Sequence, residues 1–241
     1  TQWERDGNLY GWGNNRSIVL MKSADLIHWS HTVLRVDKAF PGLDSIGCAW
    51  APELFWDNDR HQIMMYYTMR YGNGQNRIYY TYMNKDFTRM GTFPKLLFDS
   101  SEGKSTIDGD ITKVGNKYHL MYVTYGKVSG IKQAVSDSLN AGYISDSAWV
   151  DPEPKSCEAP TVFKRIGQNK WVLVYDIYGI SPPNFGFSET SDFIHFTDLG
   201  HFNEGVMKAT NFSSPKHAGF MQITGKEAKR LAAFWHLDMK F

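Results

Sequence analysis

A module reading "apolar opening, Asp/Asn/Gly turn, aromatic strand" occurs three times in this chain, over residues 51–67, 107–122 and 158–175. A second module follows each copy and also stands once before the first. It reads Ser23-Ala-Asp-Leu-Ile-His-Trp29, Asn84-Lys-Asp-Phe-Thr88, Ser136-Asp-Ser138 and Ser191-Asp-Phe-Ile-His-Phe196. Its aspartates, at 25, 86, 137 and 192, lie 61, 51 and 55 residues apart. One four-stranded blade needs about that many residues, so the spacing predicts a β-propeller; a sandwich has no period of this length.

Local patterns agree. Residues 63–68, 77–82, 118–123 and 171–175 are rich in β-branched and aromatic side chains and are bounded by Gly, Asn and Asp, as strands joined by hairpin turns are. Only residues 225–233 read as a helix, with strong helix formers and no β-branching. The expected fold is therefore all-β: one five-bladed propeller domain over residues 1–241 with a short C-terminal helix. Two blades are incomplete. The first, around Trp3 to Trp29, lacks the opening module, and the fifth begins at Lys216-His-Ala-Gly219 and gives way to the helix. The missing strands are expected from sequence N-terminal to Thr1.

Composition narrows the partners. Lys and Arg total 26 against 25 Asp and Glu, a net charge of +1, which argues against an electrostatic nucleic-acid binder, since that would need a basic patch or stripe. No apolar run is long enough for a membrane-spanning helix. Two cysteines, Cys48 and Cys157, are too few for a disulfide scaffold. Aromatic residues make up 15%, enough to fill a core and leave rings over for flat ligands such as sugars.

In a propeller the opening strand of each blade lines the central channel. Three openings carry acids: Glu53 after Trp50-Ala-Pro, Asp108 and Asp110 in Ile107-Asp-Gly-Asp-Ile111, and Glu158 in Cys157-Glu-Ala-Pro160. Acids at matching blade positions would face one another, and like charges in a dry funnel raise one another's pKa, as general-acid work requires. The same acids could instead cap turns or pair with Lys or Arg. His217 opens the fifth blade and would also reach the axis, to hold a water, a metal or an acid, or as a structural histidine. Trp50 and Tyr71 could stack on a sugar ring or pack in the core. Gly-x-Ser-x-Gly, His-Glu-x-x-His and Cys-x-x-Cys are all absent.

Together, Trp50-Ala-Pro-Glu53, Ile107-Asp-Gly-Asp-Ile111, Glu158-Ala-Pro-Thr-Val-Phe-Lys164, Lys216-His-Ala-Gly219 and the run from Ile18 to Trp29 resemble, in order and spacing, the family 43 glycoside hydrolases. The resemblance covers nearly all of residues 11–234. It implies a five-bladed propeller cleaving terminal α-L-arabinofuranosyl or β-D-xylosyl residues from plant cell-wall polysaccharide by inversion. It makes Glu158 the general acid, Asp108 the third carboxylate and His217 a histidine at the channel floor; His217 and the rings of Trp50 and Tyr71 are the candidate substrate-binding residues. The general base would be an Asp opening the first blade, before Thr1. No cofactor is implied for the reaction; a structural calcium near His217 is the one metal, and a secreted or periplasmic location follows from the polymer substrate. A glycan-binding propeller that has lost its base is the alternative.

Overall fold

The computed structural model describes residues 15–100, 102–204, 206–207 and 213–239. The part of the expected first blade before Asn15 lies outside them. β1 (Ser17–Lys22) and β2 (Ser30–Arg35) form an antiparallel pair. Three four-stranded antiparallel sheets follow. The first holds β3 (Ile46–Asp57), β4 (Gln62–Tyr71), β5 (Arg77–Tyr82) and β6 (Lys95–Phe98). The second holds β7 (Ile107–Val114), β8 (Lys117–Tyr125), β9 (Ser129–Ser136) and β10 (Ile144–Trp149). The third holds β11 (Cys157–Lys164), β12 (Trp171–Ile177), β13 (Asn184–Thr190) and β14 (Thr197–His201). In each the strands lie side by side in chain order, the meander of a propeller blade. All four strand segments expected from sequence are present, as β4, β5, β8 and β12.

The second strand of each sheet explains how the blades stack. Side chains alternate between the two faces of a strand, so a strand apolar at every position is buried on both. Met65, Tyr67 and Met69 of β4 pack with Ile18, Leu20 and Leu34 of the β1–β2 pair. Met64 and Tyr66, on the other face, pack with Ile111, Leu120 and Tyr122 of the second sheet. Met121 and Val123 in turn meet Leu173, Tyr175 and Ile177 of the third. One apolar cluster thus fills each gap between successive sheets. The inner strand β7 lies against both β3 and β11, so the three opening strands gather on one side of the stack.

The module at 216–224, expected to open a further blade, forms no strand. Its backbone has no neighbouring strand to complete a ladder among the described residues. It runs along the third sheet instead, where Phe220 stacks on Phe163 with ring centroids 4.5 Å apart. The helix is present as α1 (Gly225–Phe234). Thr224 and Glu227 form a reciprocal capping box at its start. Arg230 donates to the Asp25 carbonyl at 2.8 Å, and Phe234 meets the His28 ring edge-on at 6.0 Å. The end of the chain is thereby fastened to the turn between β1 and β2.

Candidate active site

The three inner strands share a local distortion at the same step. Ala51, Asp108 and Ala159 have φ of 44°, 52° and 51°, and His217 repeats it at 46° in the segment that would open the next blade. Non-glycine residues rarely adopt this region, and they persist there only where the surroundings enforce it. A β-bulge follows each kink, between Trp50 and Glu53, Ile107 and Asp110, and Glu158 and Thr161. A bulge frees backbone N–H groups from the ladder, and when buried they need other acceptors.

The preceding sheet supplies them. In β4, Thr68 and Tyr66 are polar: Asp108 N–H donates to Thr68 Oγ1 at 3.0 Å and Ile111 N–H to Tyr66 Oη at 2.9 Å. In β8 the corresponding residues, Val123 and Met121, cannot accept. The inner strand itself takes over. Ala159 N–H donates to Asp108 Oδ2 at 3.2 Å, and Val162 N–H to Asp110 Oδ2 at 2.9 Å. Gly109 stands between these two acids because a Cβ there would lie 2.9 Å from Ile78 Cδ1 and 3.1 Å from Leu120 Cδ1.

Glu53 and Asp110 accordingly occupy matching positions, as the sequence reading supposed, but Asp108 and Glu158 do not. Glu158 is the residue before its kink, Asp108 is the kink residue itself, and Glu53 and Asp110 lie two residues beyond theirs. The backbone stitching sets this, since the second junction needs acceptors that the first finds in β4. Even so, Glu53, Asp108, Ala159 and His217 line one narrow pocket, a cavity of about 20 Å³ with room for roughly one water.

Burial dominates the electrostatics of the pocket. It pushes Asp108 up to about 6, with the charge of His217 opposing and that of Glu158 adding. It pushes Asp110 up to about 8, reinforced by Glu53, and raises Glu53 itself against the pull of His217. Glu158 goes the other way. Burial would raise it too, but hydrogen bonds and charge from His217 and Lys216 outweigh that and bring it below the ordinary glutamate value. Its contact with Glu158 raises His217 in turn. The pocket and its surroundings thus hold carboxyls whose proton affinities have been driven apart, the condition for acid–base chemistry.

Lys216 and Asp176 are the residues of this cluster that the sequence reading missed. Lys216 Nζ lies 3.0 Å from Glu158 Oε1 and 3.7 Å from Asp176 Oδ2, and His217 Nε2 lies 3.8 Å from Glu158 Oε1. Asp176 is fully buried and pairs with Glu158 in the β11–β12 register. Its signal in the sequence is a lone acid at the end of the apolar strand Trp171–Ile177. Glu158, Asp176 and His217 offer metal-ligand atoms within 4.8 Å of one another. They do not fit a calcium ion as arranged. The Lys216 ammonium already pairs with both carboxylates, and calcium would need six or more oxygens in its place.

Trp50 pairs with Thr68 in the register and lies beneath the Arg70 guanidinium, 5.2 Å from its ring. Tyr71 follows Arg70 in β4 and sits edge-on to Tyr79 at 6.2 Å, on the face of the sheet turned toward Tyr67 and Met69. The structure therefore brings Glu158, Asp108 and His217 together, sets Trp50 at the neighbouring kink, and places Tyr71 on a different face.

The sequence matches the model of a family described as a probable glycosyl hydrolase domain, related to family 43, over residues 3–229. No curated protein matches it. Solved structures that the fold resembles include a thermostable family-43 glycoside hydrolase (16% identity, TM-score 0.51, covering 84% of this chain and 76% of that one). Another is an endo-arabinase from Bacteroides thetaiotaomicron VPI-5482 (15%, 0.53, 73% and 72%). A third is an exo-1,5-alpha-L-arabinanase from a bovine ruminal metagenomic library (16%, 0.54, 76% and 68%).

Proposed function

The chain belongs to the probable glycosyl hydrolases related to family 43, and from that membership we propose that it cleaves arabinose- or xylose-containing polysaccharide, with Glu158 and Asp108 as its working carboxyls. The observation that carries this reading is the meeting of Glu158, Asp108 and His217 from segments far apart in sequence: Asp108 and His217 line the pocket, and Glu158 lies 3.8 Å from His217 beside it. The arabinan- and xylan-directed activities in the names of proteins sharing the fold support the substrate class.

In this reading Glu158 protonates the leaving oxygen of a terminal α-L-arabinofuranosyl residue, or of a β-D-xylosyl one. His217 contacts the Glu158 carboxylate and binds a proton more tightly than an ordinary histidine, so it stays charged there and holds the carboxyl in place. The proton that Glu158 delivers is restored from water after each turnover. Asp108 keeps its proton to about pH 6 and is suited to orient a sugar hydroxyl. A carboxylate outside the described residues activates the water, on the opposite face of the ring, and inversion follows. Action on an extracellular polymer places the protein outside the cytoplasm.

The Lys216–Glu158 ion pair favours a second reading, in which the pocket binds such glycans without cleaving them. Release of 4-nitrophenol from the α-L-arabinofuranoside and the β-D-xyloside, measured beside calorimetric binding of arabinotriose and xylotriose, separates the two. Product supports hydrolysis, binding without product supports the second reading, and neither outcome overturns both.

A further inference from the structure

The registers of the sheets point to a second set of residues at the mouth of the pocket. Trp50 pairs with Thr68, Ile107 with Val123 and Glu158 with Asp176, and in each case the partner is on the second strand, opposite the residue that precedes the kink. Two residues further along those strands lie Arg70, Tyr125 and Tyr178, which occupy one equivalent position in three successive sheets. Arg70 is spent on Trp50 and on Asn76, to which it donates at 2.9 Å. Tyr125 and Tyr178 remain 42% and 39% exposed.

The Tyr178 ring is tethered by its hydroxyl, and the backbone that carries Tyr125 is held. Tyr125 pairs with Ser129 across the β8–β9 hairpin, and the Ser129 hydroxyl is hydrogen-bonded to the Tyr178 hydroxyl, which links the second sheet to the third. The hairpin is backed by Trp149, whose ring lies so close to Gly126 and Gly130 that a Cβ on either would come within 3.0 Å of it. Tyr125 is near enough to Asp108 and Glu158 for their charges to raise its hydroxyl pKa, after burial and alongside Tyr178.

We propose that Tyr125 and Tyr178 form an aromatic subsite above Asp108 and Glu158 that holds a pentose ring of the oligosaccharide next to the bond being cleaved. A pentose presents C–H groups on its faces and hydroxyls at its edge, so pre-positioned rings with polar tips match it without a charge. The inference rests on the substrate class proposed above. Sequence alone places both tyrosines at strand ends and gives no reason to associate them.

The test uses Tyr125→Ala, Tyr178→Ala and Tyr125→Phe in the full-length protein, with arabinotriose and xylotriose as probes. Binding is read by calorimetry, kcat and KM by product release, and folding by the thermal midpoint. Each alanine variant is expected to weaken binding of the preferred trisaccharide, or raise KM, by about tenfold. The thermal midpoint should stay within a few degrees of wild type, and Tyr125→Phe should remain within about twofold of it, because the ring face is kept. If wild type binds or hydrolyses the sugars and the alanine variants match it, the subsite is overturned and the substrate class stands. If wild type does neither, the substrate class falls and the subsite with it.

Discussion

Asp108 Oδ2 accepts the backbone N–H of Ala159 at 3.2 Å, so the kink of one inner strand is held by the acid at the kink of the one before it. A residue expected to act on sugar therefore also holds two blades in register. Removing the carboxyl leaves a buried N–H unsatisfied, at a cost of about 1–3 kcal/mol. Asp108→Ala should lower the unfolding free energy in a denaturant titration by that amount, whereas Asp108→Asn, which keeps an acceptor, should cost clearly less. Equal losses in the two variants would refute the stitching role.

Asp110 gives a pH test. Its folded pKa of about 8 lies above the ordinary 3.8, because burial and Glu53 disfavour the anion. The stability contributed by the protonated form is thus complete below about pH 4 and is lost as pH rises toward 8. Asp110→Asn keeps an acceptor for Val162 N–H and cannot ionise. The variant should gain on wild type steadily from pH 4 to pH 8 in thermal unfolding; a constant difference across that range would contradict the assignment.

Gly186 in β13 lies under the Tyr175 ring, where a Cβ would sit 2.2 Å from one ring carbon. Tyr175 is itself fully buried and has nowhere to go. Gly186→Ala should therefore destabilise by about 1–3 kcal/mol in a urea titration. Gly219→Ala, with open space at its Cβ, serves as the control and should change little.

Cys48 and Cys157 are both free and buried. Burial pushes the Cys48 thiol up to about 11 against the pull of Arg70, and raises that of Cys157 further. Neither should react with a thiol reagent at pH 8 in the native state, and both should react in denaturant. Rapid native labelling would show that the gaps between the sheets open readily.

The sheets were legible in the sequence because their signal is local. The run from Ile63 to Thr68 and the aspartates at 25, 86, 137 and 192 show strand, turn and period without reference to any distant residue. The pocket was legible only in part. Glu158, Asp108 and His217 stand out as polar residues at module openings, but their offsets from the kink depend on whether the preceding strand offers an acceptor. Tyr66 and Thr68 do, and Met121 and Val123 do not. Asp176 reaches Glu158 through a strand register and Lys216 joins them from 40 residues further on, and the missing strand at 216–224 reflects the lack of a neighbour. None of these is readable from local propensity.

The most direct test of the account is the hydrolysis of arabinotriose and xylotriose, whose leaving groups must be protonated, by the full-length protein and its Glu158→Gln variant, with trisaccharide binding measured in parallel. Wild type should release product from one of the two, and the variant should fall by about 10²–10⁴-fold, the contribution of a general acid, while still binding sugar. Equal turnover by the two proteins would contradict the assignment of Glu158.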